Sequence, residues 1–117
     1  MRIANHRPLK ELKAEFRSEF PYLDIYFFKK GASLPVSELF EPEVKVGDVR
    51  DDGLTGELRL NGNLSATAIE QTMSDIFGLS MRIGYDKEFR HRFIPSNKPL
   101  NELNYRSMHL MEEVVIV

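Results

Sequence analysis

The amino-acid sequence predicts one α+β domain over residues 1–117, with a ferredoxin-like βαββαβ order, two helices layered on one sheet and an added C-terminal hairpin strand. The main observation is an internal repeat, because an amphipathic helix leads into an alternating strand twice, in residues 8–29 and 65–85. The apolar stripe recurs 57 residues later, with Leu9, Leu12, Phe16 and Phe20 matched by Ala66, Ile69, Met73 and Phe77. Two such units can bury their apolar faces against each other.

Composition indicates an ordinary globular domain. Of the 117 residues 42% are hydrophobic and 29% are charged, and no stretch approaches the ~20 apolar residues that cross a bilayer. The formal net charge of −2 argues against a protein whose main affinity comes from neutralising phosphates. The chain has no cysteine, which excludes disulfides, thiolate metal sites and a cysteine nucleophile. We therefore expect a cytoplasmic protein with no membrane partner.

The first repeat unit is predicted to be a helix followed by a strand. Pro8 suits the first turn of a helix, where its missing N–H is not needed, and Pro21 ends the helix after Phe20. From Tyr22 to Lys29 the residues alternate between two faces, as in a strand, and both faces carry aromatic rings. An opening strand is expected at Arg2 to His6. Because this strand is short, two αβ units with fewer central strands are the structural alternative.

The connection between the two units is irregular. Residues 30–54 contain several glycines and prolines around one helical turn at 35–40. The segment also holds enough apolar residues to pack as an extended cover over the core. A strand is predicted after it, from Gly56 to Asn61, where leucines alternate with polar residues.

The second unit again begins with a helix. The sequence offers two N-caps for this helix, Ser65, or Thr67 with Glu70 in capping-box spacing. Gly78 suits the left-handed conformation that follows a last helical turn. Residues 79–85 then alternate as a strand.

The remaining chain is predicted to add a hairpin strand and a tail. Phe89 to Ile94 is expected to pair with the strand before it. In the tail, residues 95–117, a helical turn is expected at Leu100 to Leu103. The apolar end, Val114 to Val117, is expected to pack against a partner or against its own sheet.

Two segments resemble a family of small bacterial proteins that carry an LxxxFxxxFPYLxI segment and a later FGLxxQVFR segment. Residues 9–25 match the first segment, and residues 77–83 match the start of the second. After Arg82 the chain departs from that pattern, because residues 84–86 replace a basic serine-glycine turn and a tryptophan-containing strand is absent. The resemblance supports the fold and implies no catalytic residues, since the family has no established activity.

No catalytic, cofactor-binding or metal-binding residues are predicted. The three histidines, His6, His91 and His109, are scattered and lack the spacing that places two ligands on one helical face. The acidic residues near Gly53 lack the ligand spacing of a cation loop, and a solvated turn explains them better. The glycines form no phosphate-binding motif. An enzyme with a pocket between the helices and residues 30–54 is left open as a third functional class.

One face of the predicted sheet combines aromatic and basic residues. If Met81 and Ile83 face the helices, alternation sends Arg82 to the opposite face. The other residues expected there are Tyr26, Phe28, Arg59, Arg90 and Arg92. Val115, Ile116 and Val117 complete this candidate interface, because a terminal strand can join the edge of another sheet.

Two functional hypotheses follow from this face. The first is a non-enzymatic binding or assembly module that self-associates or binds another protein, because exposed aromatic clusters are often subunit interfaces. The alternative is single-stranded nucleic-acid binding through Arg82, Arg90, Arg92 and Tyr26, because bases stack on exposed rings and arginines contact phosphates.

Overall fold

The computed structural model describes residues 1–37, 41–85, 97–106 and 108. The elements in these ranges are β1 (Arg2–Ile3), α1 (Leu9–Glu19), β2 (Leu23–Phe28), α2 (Val46–Val49), β3 (Gly56–Glu57), α3 (Ala66–Asp75), β4 (Ser80–Tyr85) and α4 (residues 100–106). The α+β class is therefore confirmed. The strands predicted at Phe89 to Ile94 and Val114 to Val117 lie outside the described residues.

The described strands form two antiparallel pairs. In the first pair, β2 and β4 run side by side over six residues, with Ile25 opposite Ile83 and Tyr26 opposite Arg82. In the second pair, the two-residue strands β1 and β3 place Ile3 opposite Gly56. The single ferredoxin-like sheet is not confirmed, because each of these pairs is a separate two-stranded sheet in the described part of the chain.

Competition for backbone groups shortens the first strand. The sequence predicts a strand to His6, but the carbonyl of Asn5 accepts the N–H of Gly47 at 3.1 Å and that of Arg7 accepts the N–H of Val46 at 2.9 Å. These bonds attach the chain to the start of α2 instead of to a neighbouring strand. Helix α2 was not predicted, and its first turn is stabilised by Asp48, whose carboxylate accepts the Lys45 N–H at 2.9 Å.

The two repeat units share one core. Phe16 of α1 and Met73 of α3, which occupy equivalent positions in the repeat, both belong to the main buried cluster. Ile25 and Ile83 join this cluster from the same face of the β2–β4 pair. The predicted packing of both helices' apolar stripes against these strands is therefore observed.

The helix ends and the tail test three further predictions. Ser65 is the N-cap of α3, and its hydroxyl accepts the Ala68 N–H at 3.0 Å. Gly78 has φ of +64°, the left-handed conformation expected of it. The helical turn expected at Leu100 extends as α4, and both Leu100 and Leu103 are buried. None of the helices in the described ranges is long and apolar enough to cross a bilayer.

Candidate functional site

The register places Tyr26 and Arg82 on the same face of the β2–β4 pair, as alternation predicts. Their Cα atoms are direct cross-strand partners, and Phe28 shares this face opposite Ser80. Arg82 is half-exposed, and its Nε lies 3.7 Å from Glu70 Oε1. The predicted grouping of an arginine with two aromatic rings is therefore observed for these three residues.

The predicted exposure of the two aromatic rings on this face is wrong. Tyr26 is only 6% exposed and Phe28 is also buried. On α1, Lys13 reaches this face: its Nζ lies 5.0 Å from the centroid of the Tyr26 ring and 3.6 Å from Asp24 Oδ2. Because large aromatic surface is costly in water and a cation is attracted to a ring face, the rings are covered instead of presented.

The other predicted interface residues do not gather on this face. Arg59 lies beyond the end of β3, which belongs to the other strand pair, and its side chain is exposed. The remaining predicted interface residues, Arg90, Arg92, Val115, Ile116 and Val117, lie outside the described residues.

A polar cleft that the sequence did not indicate lies where the loop after α2 meets the end of α3. Its volume is about 210 Å³. The polar residues that line it are Lys30, Arg50, Asp51, Asp52, Ser74 and Ser80. This volume is below the roughly 300–1,000 Å³ of drug-sized pockets, so the cleft suits a small ligand.

Arg50 is the structural centre of this region and is only 9% exposed. Its Nη1 donates to the carbonyl oxygens of Phe77 at 2.7 Å and Leu54 at 3.0 Å, and its Nε donates to Asn5 Oδ1 at 2.9 Å. One guanidinium thereby joins the N-terminal segment, the loop after α2 and the end of α3.

Two glycines allow the loop after α2 and the turn after α3 to touch backbone to backbone. Gly53 has φ of +135°, and a Cβ at this position would overlap the Phe77 carbonyl. A Cβ on Gly78 would overlap the carbonyl oxygen of Asp52. Because both positions combine positive φ with no room for a side chain, the cleft has a closely packed backbone wall.

The rim of the cleft carries an ion pair. Lys30 Nζ lies 2.6 Å from Asp51 Oδ2, and both side chains are exposed. The hydrogen bond to Asp51, together with the charge of that carboxylate and of Asp52, raises the pKa of Lys30 above its ordinary value. The lysine is therefore fully charged at neutral pH.

Two exposed aliphatic side chains lie beside this region. Leu54 is 65% exposed and Ile76 is 46% exposed. The Leu54 N–H donates to the Ile76 carbonyl at 3.1 Å, so the two residues are direct neighbours. We call this the Leu54–Ile76 patch. It is an apolar surface adjoining a polar cleft, which is the usual composition of a binding surface.

The described residues hold no arrangement typical of metal binding. No group of three histidine or acidic side chains in these ranges is placed to hold a metal ion. Asp48, one of the acidic residues near Gly53, caps α2. The cleft and the Leu54–Ile76 patch can bind through charge, hydrogen bonds and apolar contact.

Comparison of the chain with family models, with curated proteins and with solved structures found no match. The resemblance to a bacterial family stays a prediction.

Sequence reasoning missed Arg50 because its partners are mainly backbone carbonyls, which carry no sequence signature. It weighed Asp51 and Asp52 as cation ligands and interpreted them as part of a solvated turn, not as the lining of a cleft. One available signal was the pair Gly53 and Gly78, since glycines at two loop ends are typical of close backbone approach.

Proposed function

We propose that the protein is a non-enzymatic binding or assembly module that associates with a second copy of itself through the Leu54–Ile76 patch. The observation that carries this proposal is the exposure of two aliphatic residues, Leu54 and Ile76, whose backbones are joined by a hydrogen bond. Contiguous exposed apolar surface on a small domain is typical of an interaction site.

A second copy is the favoured partner because an apolar surface can pack against the same surface of another copy. Two apolar patches related by a twofold axis bury each other without needing matched charges, and twofold dimers are the commonest oligomers. The closed packing around Gly53 and Gly78 supports this role, since a rigid surface loses little conformational entropy on binding.

Burial of Tyr26 removes the stacking ring from the nucleic-acid hypothesis, whose other residues include Arg90 and Arg92, outside the described residues. A ring covered by Lys13 has no face on which a base can stack. We therefore propose only the protein-binding function. The cytoplasmic location expected from the sequence remains part of this proposal.

Light scattering of the purified full chain over a range of concentrations tests the proposal. We expect the mass of a dimer, and a shift towards the monomer mass when Leu54→Ser and Ile76→Ser are combined. The matched control is Leu34→Ser, because Leu34 is 77% exposed and lies away from the patch in sequence. A full chain that stays monomeric at every concentration would contradict the proposal.

A variant truncated after Glu113 distinguishes a dimer contact at the patch from a dimer contact at the apolar C-terminus. If the truncated chain remains a dimer and the double serine variant does not, the contact is at the patch. Loss of the dimer only on truncation would instead place the contact at the C-terminus and overturn the proposed surface.

A further inference from the structure

The positive charge of Arg50 is carried by a largely buried side chain. Its three hydrogen bonds in the described part of the chain all end on neutral oxygens, one side-chain amide and two backbone carbonyls. In the described part of the chain it forms no ion pair with a carboxylate. A buried cation without a counter-charge is unfavourable. The carboxyl end of α3 offsets roughly half a unit charge, so an anionic group would complete the site.

The cleft also carries a carboxylate with no ion pair among the described residues. Lys30 and Asp51 neutralise each other at 2.6 Å. Asp52 lines the same cleft and lies close enough to raise the pKa of Lys30, but its carboxylate forms no ion pair in the described ranges. After internal pairing, the cleft therefore has one positive group, Arg50, and one negative group, Asp52.

We propose that the cleft binds a small zwitterion of the α-amino acid type, with its carboxylate at Arg50 and its ammonium group at Asp52. A simple anion would satisfy Arg50 but be repelled by the acidic rim, and a simple cation would face the reverse conflict. A zwitterion can pair with both Arg50 and Asp52 without adding net charge to the cleft.

The size and polarity of the cleft agree with this ligand class. A volume of about 210 Å³ accommodates a small amino acid and not a nucleotide. The hydroxyl-bearing residues Ser74 and Ser80 also line the cleft and provide neutral hydrogen-bonding groups. This proposal does not depend on self-association, because the ligand and the partner use different groups.

Chemical-shift mapping of the backbone amides tests the proposal directly. The probes are glycine, L-serine, acetate and methylammonium, each at matched ionic strength. We expect saturable shifts at Ser74, Gly78 and Ser80 with glycine or L-serine, and at least tenfold weaker effects with acetate and methylammonium. No saturable shift with either amino acid up to about 10 mM, or equal binding of acetate, would overturn the proposal.

Variants at the rim assign the ammonium contact. Asp52→Asn should weaken amino-acid binding at least tenfold, and Asp52 is exposed, so we expect the fold to be retained. The matched control is Asp75→Asn on α3, where the carboxylate accepts the Gln71 amide outside the cleft. Equal losses in the two variants, or no loss in Asp52→Asn, would contradict the proposed geometry.

Arg50→Lys tests the other end of the ligand. Lysine keeps the positive charge, but its single nitrogen cannot both replace the bonds of the guanidinium to Asn5, Leu54 and Phe77 and receive a carboxylate. We expect weaker amino-acid binding with an unchanged preference for zwitterions over methylammonium. If the amide spectrum shows that this variant has not folded, the Asp52→Asn comparison still decides the proposal.

Discussion

The carboxylate of Glu70 accepts a hydrogen bond from the backbone N–H of Ile83 at 2.8 Å. A second bond of the same kind lies on the neighbouring strand, where the N–H of Ile25 donates to Asp24 Oδ1 at 2.8 Å. Ile25 and Ile83 are direct cross-strand partners. Both N–H groups are therefore satisfied by acidic side chains instead of by a further strand, which discourages pairing with another chain at these positions.

Replacement of Glu70 by glutamine should change how stability depends on pH. Burial, the largest effect, raises the pKa of Glu70 above its ordinary value of 4.5, although the Ile83 N–H and Arg82 oppose this shift. The folded protein therefore binds this proton more tightly than the unfolded chain. The resulting contribution to stability is complete below pH 4.5 and is lost as pH rises through the raised pKa.

Urea unfolding at several pH values measures this effect. Glu70→Gln keeps an oxygen for the Ile83 N–H but removes the buried charge, so we expect equal or greater stability at neutral pH and a flatter profile just above pH 4.5. Glu70→Ala is the control, because it leaves the N–H unsatisfied at a cost of about 1–3 kcal/mol. A glutamine variant as unstable as the alanine variant would contradict this account.

Asp24 should stabilise the other strand through its hydrogen bond and its charge. Asp24→Ala removes the acceptor for Ile25 and the partner of Lys13, whose Nζ is 3.6 Å from Asp24 Oδ2. We expect a loss of about 1–3 kcal/mol in the free energy of unfolding. Asp24→Asn keeps the acceptor and should lose less. Equal losses in urea unfolding would show that the ion pair, and not the hydrogen bond, is the main contribution.

The repeat could be predicted because its signal is local. A stripe at three- and four-residue steps identifies a helix, and alternation assigns Ile25 and Ile83 to one face. Strand pairing could not be predicted in the same way. It depends on competition between distant backbone groups, such as the Gly47 N–H that binds the Asn5 carbonyl and removes it from the expected first strand.

The candidate site was less accessible to sequence reasoning. Alternation correctly placed Tyr26 beside Arg82, but it could not show that Lys13 of α1 reaches the same ring. Arg50 donates to the carbonyls of Leu54 and Phe77, and a carbonyl is present at every position of the chain. A site defined by such contacts becomes visible only when the backbone is folded.

The equivalent core positions of the two units should contribute similarly to stability. Phe16 and Met73 are almost fully buried in the same cluster. Phe16→Ala should cost about 3–5 kcal/mol and Met73→Ala about 2–5 kcal/mol, because each leaves a cavity in the shared core. Leu34→Ala is the control, since an exposed change usually alters stability by less than about 0.5 kcal/mol. A loss of unfolding free energy below about 0.5 kcal/mol in Met73→Ala would contradict a shared core.

Substitution of Gly78 by alanine should lower the free energy of unfolding of the protein more than the same change at Gly31. Both glycines have positive φ, +64° at Gly78 and +78° at Gly31, so each alanine variant carries a left-handed penalty of about 1–2 kcal/mol. Only at Gly78 would the added Cβ also overlap a backbone atom, the carbonyl oxygen of Asp52, because the space around Gly31 is open. We expect an additional loss of about 1–3 kcal/mol at Gly78, measured by urea unfolding of the two variants under identical conditions. Equal losses would mean that the loop after α2 moves away from the turn at little cost, and the backbone wall of the cleft would then be adaptable instead of rigid.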